Sequence, residues 1–110
     1  MKFARLYTRL YLILSTIFNA IGCRVEVEKM IATGRIDMVV ETTHFIYVLE
    51  LKLSNNGGID AATEQIRTKQ YTEPFKADKR KVIALAIELD DKGKGLVDWK
   101  EVQIFEGLSK

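Results

Sequence analysis

Three charged side chains lie in the most apolar part of the sequence. Asp37 lies within the stretch Arg35–Thr42, and Glu50 and Lys52 lie within the stretch Phe45–Leu53. A charge in an apolar setting costs free energy unless it is paired or binds a metal ion. Two carboxylates offer the hard oxygen ligands that Mg²⁺ prefers, and a nearby ammonium group stabilises developing negative charge. The three residues therefore indicate a candidate metal site.

Two predicted β-strands, Arg35–Thr42 and Phe45–Leu53, carry these charges. Both are rich in β-branched, aromatic and other large apolar residues, which pack well on a pleated sheet. Thr43 and His44 form the bend between them. The two strands are therefore expected to pair with each other in the antiparallel sense.

Side chains on a strand alternate between the two faces of the sheet. Glu50 and Lys52 are two residues apart and share a face, and antiparallel pairing brings Asp37 close to both. The same alternation places Ile36 on the face opposite Asp37. An alternative interpretation is a solvated face on which Asp37 simply pairs with Lys52 or Arg35, because cross-strand ion pairs are common and weakly stabilising.

The same segment resembles a known family. Asp37 followed by Glu50-Leu51-Lys52 is similar to the D…(D/E)-x-K signature of the PD-(D/E)XK nuclease superfamily. Two sequence segments resemble the bacterial branch that is often fused behind an ATPase-like domain: GRIDMVVE…FIYVLELKL and, after it, EQIRTKQYTEPF. The resemblance extends over most of the chain, from Leu10 to Trp99.

The resemblance implies a metal-dependent nuclease that acts on DNA or RNA, with DNA favoured. It implies Mg²⁺, or Mn²⁺, held by Asp37, Glu50 and the backbone carbonyl of Leu51. Lys52 would orient or deprotonate the attacking water, and Gln65 on the next helix would hold a water or a phosphate oxygen. The alternative is a catalytically inactive domain of the same fold that binds nucleic acid or a protein partner.

One feature departs from the family pattern. Many members place an acidic residue on the first helix, whereas no Asp or Glu precedes Glu26 in this sequence. Either Glu26 or Glu28 substitutes for it, or the acid lies upstream in a longer parent chain, or metal binding is weaker. The branch resemblance implies an ATPase-like region upstream, and a homodimer formed through Tyr7 and Tyr11 or through the final strand is a further hypothesis.

Composition indicates an ordinary globular protein. The length of 110 residues predicts one domain over residues 1–110, which the resemblance implies to be nuclease-like. The net charge of +2 neither demands nor excludes a nucleic-acid partner. Any basic surface must therefore be local. Cys23 is the only cysteine, which excludes an internal disulfide and fits the reducing cytoplasm.

An apolar run near the N-terminus, Leu10–Ile21, follows three basic residues and imitates a signal peptide. The run is too short to span a bilayer, and its apolar residues follow helical spacing. We therefore predict a core helix, Phe3–Ile21, that ends at Gly22, and no membrane association.

The remaining segments complete an α/β fold. A second helix is predicted to begin at Asp60 as its N-cap and to run to Tyr71 or Glu73, and Trp99 is predicted to anchor the last strand. The order αβββαβ, with one extra final strand, predicts a mixed central sheet flanked by helices, and the resemblance implies the same restriction-endonuclease-like core. The additional predicted strands are Arg24–Ile31, Lys81–Leu89 and Val97–Phe105.

Overall fold

The structure, a computed structural model, describes residues 15–92 and 95–104. Helix α1 is described over residues 15–20, and helix α2 spans Gly58–Thr68. The predicted helix Phe3–Ile21 is therefore described only in part, and Tyr7 and Tyr11 lie outside the described residues. The strands are β1 (Arg24–Ile31), β2 (Gly34–Glu41), β3 (Phe45–Leu53), β4 (Lys81–Leu89) and β5 (Leu96–Val102).

The five strands form one mixed sheet in the order β1-β2-β3-β4-β5. β1, β2 and β3 make an antiparallel meander, β3 and β4 are parallel, and β4 and β5 are antiparallel. Parallel neighbours need a crossover connection, which α2 supplies between β3 and β4. The predicted α/β class and order of elements are confirmed.

Two apolar clusters cover the two faces of the sheet. Ala62 and Ile66 of α2 belong to the first cluster, so we call its side the α2 face. Phe18 of α1 packs against the second cluster, on what we call the α1 face. Full burial of one large aliphatic side chain stabilises a fold by about 1.5–3 kcal/mol, so both faces contribute to stability. The second cluster comprises Met38, Val40, Leu49, Leu51, Leu53 and Leu89.

The start of α2 differs from the prediction. Gly57, with φ 95°, is the N-cap, and Asp60 lies inside the first turn, where a negative charge favours the helix dipole. The capping carboxylate comes from β4. Glu88 Oε1 accepts the N–H of Ile59 at 3.0 Å, and Glu88 Oε2 accepts the hydroxyl of Ser54 at 2.5 Å. A cap supplied from a distant strand leaves no local trace in the sequence.

The end of α2 also lies earlier than predicted. The helix ends at Thr68, and Gln70 adopts a left-handed φ of 52°, which an α-helix cannot continue through. Tyr71 and Glu73 therefore lie beyond the helix. This reversal turns the chain back over the sheet and allows Tyr71 to be buried.

Three large apolar side chains are more exposed than predicted. Ile17 and Ile21, expected on the buried side of the first helix, are 51% and 68% exposed, although Phe18 between them packs on the α1 face. Trp99, predicted as an anchor, is 59% exposed because β5 lies at the edge of the sheet. Among the described residues, no helix has the length and apolar content needed to cross a membrane.

Candidate active site

Asp37 lies where the pairing of β2 is interrupted. The β2–β3 register ends with Met38 opposite Leu49, and the β1–β2 register passes over Asp37. The N–H of Leu51 donates instead to Asp37 Oδ2 at 2.8 Å. The carboxylate thus takes the place of a backbone acceptor and is held between the two strands.

The strict alternation predicted for β2 fails at this point. Ile36 was expected on the face opposite Asp37, but it joins the same α2-face cluster as Val39, whereas Met38 lies on the α1 face. At Asp37, β2 is not paired with either neighbouring strand in the backbone hydrogen-bond ladder. Across β1, the residue between the two paired positions is Glu28, whose φ of 53° is left-handed and breaks the extended conformation.

Glu50 is almost completely buried beside Asp37. The exposed fractions are 2% for Glu50 and 5% for Asp37. Lys52, two residues along β3, places Nζ 3.7 Å from Glu50 Oε2. Within the described residues, Glu50 Oε1 is a buried oxygen without a hydrogen-bond partner. A buried polar atom in this state is costly, so it marks a position where a ligand would restore a missing contact.

The pKa values of both carboxyl groups are raised. Burial is the largest cause for Glu50, the charge of Asp37 adds to it, and Lys52 opposes it, so the pKa of Glu50 rises to about 9. Burial also raises the pKa of Asp37, against the hydrogen bond from Leu51 and the charge of Lys52. Without a bound cation, the pair therefore retains a proton at neutral pH. Cation binding would displace that proton.

Tyr71 connects α2 to this pair. Its hydroxyl donates to the carbonyl of Arg35 at 2.8 Å and accepts a hydrogen bond from Nε2 of Gln65 at 2.8 Å. Burial raises the pKa of the phenol, and the charges of Glu50 and Asp37 contribute in the same direction. The predicted site residue Gln65 therefore reaches the neighbourhood of the carboxylates through Tyr71.

The importance of Tyr71 was underestimated from the sequence. The sequence indicates Tyr71 only as a possible end of the second helix, yet it is 1% exposed and belongs to the α2-face cluster. The available signal was its position as one of two aromatic residues, with Phe75, in the polar segment that follows α2. The left-handed turn at Gln70 that buries it is not apparent from residue types alone.

The donor set fits a hard divalent cation. Asp37 and Glu50 are buried carboxylates on neighbouring strands, and the carbonyl of Leu51 lies between Glu50 and Lys52 in the chain. Within residues 15–92 and 95–104, no three or more His, Cys, Asp or Glu side chains converge. Asp37, Glu50 and Leu51 would therefore hold the cation, with waters and substrate oxygens in its other positions.

The two acids considered as substitutes do not complete this set. Glu26 pairs with Lys29 at 3.4 Å on β1, and Glu28 lies on the same strand in the left-handed conformation. Neither forms a three-carboxylate cluster with Asp37 and Glu50 in the described structure. Among the described residues, the structure therefore gives no support for replacement of the missing acid by Glu26 or Glu28.

A family model of the PD-(D/E)XK nuclease superfamily matches residues 8–99. No curated protein and no solved structure matches the chain. The matched range contains Asp37, Glu50, Lys52 and Gln65, together with the strands and the helix that position them.

Proposed function

Because this chain belongs to the PD-(D/E)XK nuclease superfamily, we propose that it is a metal-dependent nuclease that hydrolyses phosphodiester bonds in DNA or RNA. DNA is the favoured substrate on the strength of the family resemblance. The observation that carries the proposal is the environment of Glu50: its buried Oε1 has no hydrogen-bond partner among the described residues, Asp37 lies beside it, and Lys52 Nζ lies 3.7 Å from its Oε2. This arrangement does not stabilise an apolar core, because burying polar and charged groups without full pairing costs free energy.

Each residue has a separate task in the proposed reaction. Asp37, Glu50 and the carbonyl of Leu51 hold Mg²⁺ or Mn²⁺ in a site from which bulk water is largely excluded. A bound divalent cation supplies Lewis-acid polarisation of the scissile phosphate. Lys52 orients the attacking water and offsets the negative charge that develops on the phosphate. Gln65, held by Tyr71, positions a water at the α2 side of the site.

Cleavage assays test the proposal directly. The full chain is incubated with Mg²⁺ or Mn²⁺ and a panel of single- and double-stranded DNA and RNA. Asp37→Asn and Lys52→Met are expected to lower the cleavage rate by at least about 100-fold, because the first weakens the cation site and the second removes the ammonium group beside the attacking water. The matched controls Asp60→Asn and Lys79→Met make the same chemical changes at exposed positions and should retain the activity. Cleavage that survives Asp37→Asn or Lys52→Met would contradict the assignment.

An inactive domain that binds nucleic acid or a protein partner is the second candidate. It is favoured by the convergence of only two carboxylates in the described residues and by the lack of an acid before Glu26. Isothermal titration with Mg²⁺ and Mn²⁺ discriminates between the two functions. The nuclease is expected to give a binding heat that Asp37→Asn abolishes, and the inactive domain gives none. The upstream ATPase-like region implied by the resemblance stays a prediction.

A further inference from the structure

β5 is an exposed strand at the edge of the sheet. In the part of the chain that the structure describes, the sheet order ends at β5, and residues Leu96 to Glu101 are all exposed. Three of them are large and apolar. An edge strand of this kind presents unpaired backbone N–H and C=O groups and readily pairs with another strand. The exposed fractions are 63% for Leu96, 54% for Val97 and 59% for Trp99.

The backbone of Trp99 points away from β4. Trp99 lies opposite Ile87 in the antiparallel ladder, but its N–H donates to Asp98 Oδ1 at 2.8 Å. Hydrogen bonds along an antiparallel strand alternate between its two sides. The N–H and C=O of Trp99 therefore both lie on the outer edge, where they can exchange two hydrogen bonds with the same residue of a second strand.

The order of charges on β5 is complementary to itself. When a second copy of β5 runs antiparallel and is centred on Trp99, Asp98 of each copy lies opposite Lys100 of the other. The backbone bond from the second copy replaces the Asp98 carboxylate at the Trp99 N–H, which releases this carboxylate for the ion pair. The two indole rings then lie side by side on the α1 face, next to Ile87. Opposite charges and aromatic pairs across strands both stabilise sheet pairing.

The other edge of the sheet, β1, is unsuited to such pairing. Glu28 interrupts the extended backbone with a φ of 53°, and Glu26 and Lys29 already pair with each other within the strand at 3.4 Å. These are features by which proteins protect edge strands. The register of β5 against β4 is regular from Asp98 to Val102, and its irregularity lies at the Leu96 end.

We propose that the protein forms a homodimer in which β5 pairs antiparallel with β5 of a second copy, about a two-fold axis at Trp99. The partner is a second copy because Asp98 and Lys100 complement the same pair of residues in reverse order. The two five-stranded sheets become one continuous sheet, and closed two-fold symmetry removes both exposed β5 edges. The axis is perpendicular to the sheet, so the two candidate active sites lie on the same face.

Charge variants of the full chain test this pairing by analytical ultracentrifugation over a range of concentrations. The unmodified chain is expected to dimerise. In the homodimer of either Asp98→Lys or Lys100→Asp, residues 98 and 100 carry the same charge and face each other at two places. Each variant should therefore raise the dimer dissociation constant by at least about tenfold. A mixture of the two variants restores opposite charges at both positions, and should form a heterodimer that is tighter than either homodimer.

The matched control is Arg24→Asp on β1, which changes the net charge as much as Lys100→Asp but lies on the other edge. It should leave the dimer intact. A chain that is monomeric at every concentration, a dimer that tolerates both β5 variants, or a mixture no tighter than its components would each overturn the proposal.

Fluorescence gives a second test that needs no variant. Trp99 is the only tryptophan of the chain, so the emission reports on β5 alone. Its emission is expected to shift to shorter wavelength and its acrylamide quenching to fall as the protein concentration rises through the dimerisation midpoint. Quenching that does not change across that midpoint overturns the pairing. A monomer with an already shielded Trp99 also overturns it, because another segment would then cover β5.

Discussion

At the residue scale, the chemistry depends on how the fold treats Glu50. The carboxylate is 2% exposed, lies beside the like charge of Asp37, and has Lys52 as an opposite charge at 3.7 Å. One of its oxygens is unpartnered within the described structure. This arrangement costs stability in the protein without a bound cation and favours a ligand that carries positive charge.

The raised pKa of Glu50 predicts how stability depends on pH. Its pKa is about 9 in the folded protein against an ordinary value of 4.5. Between these values the unfolded chain releases this proton while the folded protein keeps it, so ionisation stabilises the unfolded state. The contribution of Glu50 to the free energy of unfolding is therefore fully present below about pH 4.5. It is progressively lost as the pH rises towards 9.

Urea unfolding between pH 5 and 9 measures this dependence, with chelator present to remove divalent cations. The midpoint is expected to fall as the pH rises, and Glu50→Gln should flatten the slope because an amide does not titrate. Glu64→Gln on the exposed side of α2 is the matched control and should keep the slope. A midpoint that rises over this range in the unmodified chain would contradict the pKa assigned to Glu50.

Tyr71 predicts a second residue-scale effect. Tyr71→Phe removes the hydroxyl that donates to the Arg35 carbonyl and accepts from Gln65. Because the site is buried, we expect a loss of about 1–3 kcal/mol of unfolding free energy, measured by urea denaturation. Tyr47→Phe makes the same chemical change on the half-buried α1 face and should cost less. Equal losses in the two variants would show that the hydroxyl of Tyr71 has no special structural role.

At the element scale, α2 is held at its start by Glu88 of β4, the strand that follows it in the chain. Gly58 is the first residue of the helix and has a φ of 55°, and an added Cβ would lie 2.5 Å from Glu88 Oε1. The carboxylate can cap the helix only because Gly58 has no side chain. The crossover helix and its strand are therefore joined through this contact.

Gly58→Ala tests that connection. The substitution forces a non-glycine residue into a left-handed conformation and also displaces the Glu88 carboxylate, so we expect a loss of more than about 2 kcal/mol in unfolding free energy. Gly22→Ala is the control, because Gly22 also has a positive φ of 91° but an added Cβ there meets no atom within 4 Å. Its loss should be limited to the backbone strain, about 1–2 kcal/mol. Thermal denaturation that ranks Gly22→Ala as the more damaging change would contradict this account.

At the scale of the whole molecule, the central strands of the sheet are buried and the edge strand β5 is exposed. The central strands β2, β3 and β4 hold most of the buried residues of both clusters and the charged pair, whereas β5 is exposed along most of its length. Local opening is easiest where few apolar contacts are lost. The edge strand is therefore the part of the sheet whose protection is expected to depend on a partner.

Hydrogen exchange measured by mass spectrometry at two protein concentrations tests this division. At low concentration, the amides of β5 should exchange fastest among the strands and those of β3 and β4 slowest. Above the dimerisation midpoint, the N–H of Trp99 should become protected while β3 and β4 change little. If β5 is equally protected at both concentrations, its slow exchange has another cause than pairing between copies.

The sequence by itself determined most of the elements. The bounds of β1, β3 and β4 agree with the prediction, and β2 differs by one residue at each end, because β-branched and aromatic runs bounded by turn residues are local signals. The alternation of side chains also predicted that Asp37, Glu50 and Lys52 lie near one another. Their role as metal ligands and catalytic groups stays a prediction.

Only the tertiary structure decided how these residues are surrounded. The face taken by Ile36, the burial of Tyr71, the cap from Glu88 and the exposure of Trp99 all differ from what residue types indicate or are not apparent from them. Each depends on a contact, or on an open edge, set by residues far away in the chain. Local sequence patterns reflect the backbone preferences and the polarity of neighbouring residues. The raised pKa of Glu50 instead comes from water exclusion by packed strands and a helix, a property that exists only once the sheet is assembled.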